Sequence, residues 1–331
     1  MLEVSIIIVN RNGKDITLAC FKSLIGQGCK QIILVDNAST DGSNAALLKY
    51  AKQNKLPLQV ISNDKNNGFA EANNQGFEVA TGKYIVFLNN DTVVTPHFLE
   101  PLMNVLEKSP KVAAVQPLIL FPNGTIDSIG SYLTPTGFLY HRAHRQVPQK
   151  KVLNDAPVYT LKGACMVWKK EVLDSIGVFD ESYFAYFEET ELCHRAINHG
   201  YHLLFSPSSQ ITHVGGFTSN SMPQPFLQFH NTKNRFVTYL KHLPMNQLLA
   251  ILPVHFLLCE ALVFKTLLSS RRTALAIQKG ICVGLYRGVQ ERFRFTASGA
   301  CRQPLKDVTK TPGLSYYKAL FSSLENYQEL W

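Results

Sequence analysis

A chain of 331 residues with 46% hydrophobic and 17% charged positions can bury a sizeable core, and this composition excludes a disordered chain. Its formal net charge of +9 is uneven: residues 1–230 hold 19 Lys+Arg against 19 Asp+Glu, residues 231–310 hold 13 against 3, and the last 21 hold one against two. Seven cysteines without CxxC or CxxH spacing argue against a zinc site, and their odd number argues against a disulfide framework, so a reducing compartment is the simple reading.

The opening MLEVSIIIVN carries Glu3 and is too short for a signal-peptide core followed by a cleavage site, so it reads as a strand. Val4–Asn10 is apolar enough for burial on both faces. Asp15–Gln27 shows apolar residues at helical spacing. Gln31–Asp36 is a second strand, and Asp41–Asn54 a helix with Asp41 as its N-cap. LQVIS is a third strand, Gly68–Ala80 a helix, and Lys83–Asn89 a fourth strand. Near-continuous apolar strands alternating with helices predict a mostly parallel sheet covered on both faces. Tyr140–Lys151 is basic, contains Pro148 and lacks periodicity, so it reads as a mobile loop before the strand at KGACM.

In such a sheet, ligands sit beyond the carboxyl ends of the strands. Polar residues collect there: Asn10, Arg11 and Asn12 after the first strand, Val35–Ser43 around the second, and Asn89-Asn90-Asp91 after the fourth. No GxGxxG follows the first strand and no GxxxxGK[ST] occurs, so both common phosphate cradles are missing and a dinucleotide oxidoreductase is disfavoured. A divalent cation on Asp91, Mg²⁺ or Mn²⁺ by its hard ligand, would neutralise a phosphate instead. Asn89-Asn90-Asp91 is equally a polar turn, with Asp91 capping a helix near Pro96. Asp36 either accepts from the N3–H of a uracil or thymine ring or ends a strand. Glu188, Glu189 and Glu191 open a helix, where first-turn acids gain about 0.3–1 kcal/mol each. Arg195, four residues after Glu191, forms an i,i+4 pair or contacts a phosphate. His213 taken alone is a structural histidine.

The segments VSIIIVNRNG, VDNASTDGS, NNGFAEANNQGFEVATGKYIVFLNNDTVV, KGACMVWKKEVLDSIGVFDESYFAYFEETELCHRAINHGYHL and ITHVGG stand in this order. Together they resemble family 2 inverting glycosyltransferases of the GT-A fold, most of all the bacterial rhamnosyltransferase-like branch, over roughly residues 3–240. The resemblance implies a nucleotide-sugar donor held by a metal. Asn10, Asp36, Gly68, Asn73, Asn89, Asn90, Asp91 and Arg195 would bind the donor, with Asp36 on the base. The family's DxD maps to Asn89-Asn90-Asp91, whose first place is Asn; Asp91 and His213 would hold Mg²⁺ or Mn²⁺. The acidic pair maps to Glu188-Glu189, with Glu189 the general base that takes the acceptor's proton.

Asn246–Ser270 is the most apolar tract, interrupted by Pro253, His255 and Glu260, and a stretch mixing basic with apolar residues follows it. A spanning helix wants about 20 residues with few or no charges, so Glu260 counts against a span. The reading is interfacial amphipathic helices near anionic headgroups; the alternative is a helical subdomain or a dimer interface. The expected organisation is a GT-A catalytic domain at 1–240 and a membrane-associating helical region at 241–331. The expected activity is transfer of a sugar, from dTDP-rhamnose or a UDP-sugar, to a hydroxyl of a lipid-linked saccharide for a cell-surface polysaccharide, on the cytoplasmic face of a bacterial membrane. A homo-oligomer stays open, and no motif points to nucleic acid. The competing readings are a non-catalytic nucleotide-sugar-binding scaffold and a receiver-like domain using Asp36. The latter would need a second acid pair where Asn10, Arg11 and Asn12 stand.

Overall fold

The computed structural model describes residues 1–215, 222–297, 301–305, 307–313 and 316. The second glycine of the 212–216 motif and the end of the 241–331 region lie outside them. The chain opens with β1 (Leu2–Asn10), α1 (Lys14–Ser23), β2 (Cys29–Asn37), α2 (Ser43–Gln53), β3 (Leu58–Asn63), α3 (Gly68–Glu78) and β4 (Tyr84–Leu88). It continues through β5 (Thr92–Val94), α4 (Leu99–Glu107), β6 (Val112–Leu120), β7 (Ile126–Ser128), β8 (Ser131–Leu133), β9 (Leu139–His141), β10 (Ala156–Pro157) and β11 (Cys165–Lys169). Then come α5 (Lys170–Ile176), α6 (Glu188–Asn198), β12 (His202–His213), α7 (Gln224–His242), α8 (Met245–Leu267) and α9 (Arg271–Ala297).

The main sheet runs β10-β12-β6-β11-β4-β1-β2-β3, with β5 added to β12 and β7 to β6. Its half β4-β1-β2-β3 is parallel, as the alternation of strands and helices predicts. β11 is antiparallel to both β4 and β6, so the whole is a mixed sheet. Alternate residues of one strand feed opposite cores. Val4, Ile6 and Ile8 cluster with Phe21 of α1, Leu24 just after it, and Leu99, Leu102 and Leu106 of α4. Ile7 faces the other way, toward Ala70 and Ala72 of α3, with Phe87, Leu192 and Cys193 in the same cluster. Burial on both faces is why β1 shows no polar alternation.

Between Asp91 and α4 the chain forms β5 and pairs antiparallel with the end of β12. Asp91 is therefore not a helix cap. Asp41 is not the N-cap residue either; left-handed Gly42 occupies that place. The Asp41 carboxylate instead accepts from the amides of Ser43 and Lys14, joining the starts of α2 and α1. The 140–151 segment begins in β9, and Arg145 and Gln146 exchange backbone hydrogen bonds with Ile126 of β7, so it lies against the sheet.

The C-terminal helices share a core with the sheet domain. Val237, Leu240, Leu243, Leu248 and Ile251 cluster with Leu133, Tyr159, Tyr183 and Phe187. The boundary expected at 240/241 falls inside α7, which continues to His242 before the chain turns at Leu243–Pro244. α9 lies so close to α7 that three glycines four residues apart, Gly280, Gly284 and Gly288, face it. A Cβ on Gly284 would stand 2.7 Å from Phe236 Cβ and 2.8 Å from the Lys233 carbonyl oxygen.

Candidate active site

The polar strand ends bind one another before they bind anything else. Asn10 at the end of β1 is fully buried. Its amide donates to Asp36 Oδ1 at 2.9 Å and to the hydroxyls of Ser39 and Ser43. Its carbonyl oxygen accepts from Thr17 Oγ1 and Asn90 Nδ2. Three strands are thus tied side by side. Each residue after β4 has a separate task. Asn89 donates its backbone N–H to Ala164, and the Asn90 amide joins Asn10 and Thr17. The Asp91 carboxylate faces His213.

A cavity of about 930 Å³ opens beyond these ends, at the large end of the range for small-molecule sites. Gly68, Asn89, Asn90, Asp91, Glu188, Glu189 and His213 line it, so seven of the expected site residues converge from separate parts of the chain. Four do not line it. Asp36 is buried, its carboxylate held by Asn10 and by the Ser39 hydroxyl and amide, so a base contact gains no support from its position. Asn10 is the tie just described. Asn73 turns its amide back to the Phe69 carbonyl within α3. Arg195 binds the carbonyls of Ile176 and Val178 and the Glu191 carboxylate at 2.6 Å. That is the i,i+4 pair, and it corrects the donor-phosphate reading of Arg195.

At one wall, His213 at the end of β12 stands between two carboxylates. Its Nε2 is 3.2 Å from Asp91 Oδ1 and its Nδ1 2.7 Å from Asp127 Oδ2. Asp127 Oδ1 in turn receives Lys162 Nζ at 2.6 Å. Burial would raise the Asp127 carboxyl, but Lys162 and His213 outweigh it and hold it well below the usual carboxylate range. Burial would lower the His213 imidazole, but Asp127 and Asp91 outweigh it and hold it above the usual value. Asp91 Oδ1 is buried and makes no hydrogen bond of good geometry. A buried carboxylate oxygen without a donor, beside a histidine whose far nitrogen is fixed by a carboxylate, is a donor set suited to a divalent cation. Among the described residues no group of three or more His, Cys, Asp and Glu is arranged to hold a metal ion, so a cation on Asp91 and His213 would need ligands from outside the protein.

At another wall, the three acids at the start of α6 take three different environments. Glu191 points away from the cavity, where Arg195, Lys241 and His242 surround it. Burial opposes its charge, but the Arg195 and Lys241 cations and the hydrogen bond to His242 hold it well below the normal range. Glu188 is buried, with Oε2 lacking a partner; burial and then the charge of Glu189 push it well above the usual value. Glu189 is half-buried on the cavity wall, and burial raises it to about 6. Glu188 is raised further than Glu189, so Glu189 is the acid of the pair that ionises first, as a base must.

Asp127, Lys162 and Asn37 were absent from the sequence-derived site. Asn37 lines the cavity and donates to the Gly68 carbonyl. Lys162 is the first residue of KGACM, and Asp127 is the one carboxylate between Glu107 and Asp155; that isolation is the signal that could have found it.

The model of the family described as "Glycosyl transferase family 2" matches residues 5–176. The chain belongs to that family, and it has the GT-A fold. It is 28% identical over 228 residues to the O-antigen biosynthesis protein RfbC of Myxococcus xanthus, covering 64% of this chain and 17% of that protein. It is 25% identical over 226 residues to the N-acetylglucosaminyl-diphospho-decaprenol L-rhamnosyltransferase of Mycobacterium tuberculosis, covering 60% of this chain and 71% of that one. Among solved structures, GalNAc-T7 with UDP, GalNAc and Mn²⁺ superposes with TM-score 0.61 at 18% identity, over 91% of this chain and 58% of that one. S. aureus TarS 1-349 with UDP-GlcNAc superposes with TM-score 0.57 at 17% identity, over 100% of this chain and 88% of that one.

Proposed function

We propose that this glycosyltransferase transfers a sugar from a dTDP- or UDP-linked donor, with inversion, to a hydroxyl of a lipid-linked saccharide in polysaccharide synthesis. One observation carries the reading: a single cavity presents the Asp91–His213 pair and the Glu188–Glu189 pair. Asp91 and His213 would hold Mg²⁺ or Mn²⁺, which when bound neutralises the donor diphosphate. Gly68, Asn89 and Asn90 line the donor side. Glu189 takes the proton of the acceptor hydroxyl as that oxygen bonds to the anomeric carbon. The bond from that carbon to the diphosphate oxygen breaks, and the nucleoside diphosphate leaves with the electron pair. The printed name of the Mycobacterium tuberculosis relative supports a rhamnosyl donor and a polyprenyl-diphosphate acceptor, and that of the Myxococcus xanthus relative supports polysaccharide synthesis.

The same reading places the chain on a membrane surface. By length and composition α8 is able to cross a membrane. Its inner face is committed to protein, however: His255 is buried and hydrogen-bonds the Thr136 carbonyl. Glu260 faces α9, where Gln278 donates to it at 3.0 Å. The outer face exposes Met245, Leu249, Leu257 and Phe264, with Leu268 exposed just after the helix, while Leu275, Tyr286 and Phe293 of α9 are exposed beside Arg271, Arg272, Lys279, Arg287 and Arg294. Apolar and basic residues side by side suit the interface of an anionic leaflet, and the cytoplasmic face follows from a nucleotide-sugar donor.

Calorimetric titration with UDP and dTDP, with and without Mn²⁺, tests the donor site. Metal-dependent binding to the wild type that is lost in Asp91→Ala supports it. No binding of either nucleotide under any condition would leave the non-catalytic scaffold as the better reading.

A further inference from the structure

The loop that delivers Glu188 and Glu189 is held in a conformation its own residues disfavour. Phe184, Tyr186 and Phe187 have φ of 62°, 68° and 71°. None is glycine, and bulky residues persist in that region only where the surroundings over-determine them. The surroundings here are α7 and the first turn of α3. The Asn234 side chain, fully buried, donates Nδ2 to the carbonyls of Tyr183, Ala185 and Tyr186 at 3.2, 3.0 and 2.6 Å. Carbonyl oxygens only accept, so the orientation of this amide is fixed by chemistry. Lys233 Nζ donates to the Ser182 carbonyl, and Tyr183 OH and Thr238 Oγ1 lie 2.7 Å apart. From the opposite side Phe69 N–H donates to the Phe184 carbonyl. A Cβ on Gly68 would come within 2.6 Å of that same oxygen, so only glycine admits the loop there.

The other side of the acid pair is held by the same helix. Lys241 and His242 bind Glu191, three residues beyond Glu188. Positions 234, 238, 241 and 242 lie on one face of α7. The acid pair therefore hangs between two anchors on one helix, and the strained turn is the part that Asn234 closes.

We infer that Asn234 is a positioning residue for the transfer step: its amide clamps the strained 183–187 turn and so fixes the acid pair against the cavity. This rests on the proposed function, in which Glu189 is the base. Asn234 does not line the cavity. Removing the clamp lets the turn relax toward ordinary φ, which displaces Glu189 while the donor side at Asp91 and Asn89 stays in place.

The test uses the full chain, measuring nucleoside diphosphate release from dTDP-rhamnose and UDP-GlcNAc, UDP and dTDP affinity, and amide hydrogen exchange of the 183–189 segment. Asn234→Ala removes the donor; Asn234→Asp keeps the size and removes the N–H groups. A misplacement of about 1 Å in a catalytic group costs roughly 100-fold. The expected result is a loss of that order in kcat for both variants, nucleotide affinity within about twofold of wild type, and faster exchange confined to 183–189. Asn234→Ser, with one donor hydroxyl, gives an intermediate kcat and serves where the other two fail to fold. Wild-type kcat in a folded variant overturns the inference, as does an equal loss of kcat and nucleotide affinity. If the wild type neither binds nucleotide nor releases it from either sugar, the proposed function itself fails.

Discussion

His213 Nδ1 lies 2.7 Å from Asp127 Oδ2, and this contact aims the opposite nitrogen at Asp91. An outer carboxylate of this kind orients the ring and raises its basicity toward a metal, and losing one costs about 10–100-fold in metal affinity. Asp127→Asn is therefore expected to weaken Mn²⁺-dependent UDP or dTDP binding by that factor, while Asp91→Ala abolishes it. Calorimetry at several Mn²⁺ concentrations checks this. Equal nucleotide affinity in Asp127→Asn and wild type at subsaturating Mn²⁺ would refute the role of Asp127.

Glu189 must be ionised to accept a proton, and burial raises its carboxyl to about 6. Below that pH the base is protonated and inactive; above it the base is available. Consequently kcat/KM should rise with pH, reach half its limit near 6 and level off above. Glu189→Gln should stop transfer and leave nucleotide affinity unchanged. An acid limb that persists in a partly active Glu189→Asp variant with no shift at all would point to a different titrating group.

Glu188 gives a stability prediction of defined sign. Its folded-state carboxyl is raised well above the ordinary 4.5, first by burial and then by Glu189. A group raised on folding supports stability below its unfolded value and loses that support as pH climbs toward its folded value. Glu188→Gln cannot ionise, so its advantage in Tm over wild type should be small at pH 4.5 and grow as pH rises from there. Thermal melts across pH 4.5–8 measure it; a difference independent of pH contradicts the assignment.

Gly284 has no room for a side chain against α7. The obstructing atoms include the Lys233 carbonyl oxygen, which belongs to the backbone and cannot rotate aside. Gly284→Ala should destabilise by about 1–3 kcal/mol, the usual cost of overpacking, read as a lower urea midpoint at unchanged slope. An unchanged midpoint would mean that α7 and α9 part easily.

For membrane attachment, truncation at 246 is a poor test, because Leu248 and Ile251 belong to a core shared with the catalytic domain. Exposed residues separate the two roles: Leu257→Glu with Phe264→Glu should abolish flotation with phosphatidylglycerol vesicles and leave the melting temperature nearly unchanged. Retained flotation would remove α8 as the docking face, and a change of dimeric state instead would assign that face to a second copy.

Period and polarity made much of the parallel half legible. The expected Asp41–Asn54 helix forms as Ser43–Gln53, and the expected third strand as Leu58–Asn63, because strands buried on both faces and amphipathic helices leave local signatures. The first helix was read too long: it stops at Ser23, and Gly26 and Gly28 at φ of 79° and 68° turn the chain into β2. The antiparallel direction of β11 had no local mark, since an apolar strand reads alike either way.

What the sequence determined by itself was the order of the strand-end acids, amides and glycines, and hence the family, because these residues are set by chemistry at fixed places in a linear pattern. What only the tertiary structure decided was which of them share a cavity. Asp36 and Arg195 are drawn into internal hydrogen bonds, and Glu191 is turned away by Lys241 and His242. Asp127 enters from a strand no motif marked, and Asn234 acts on Glu189 from α7, over 40 positions along the chain. Hydrogen bonds of that range depend on packing between elements, and no spacing in a single segment encodes them.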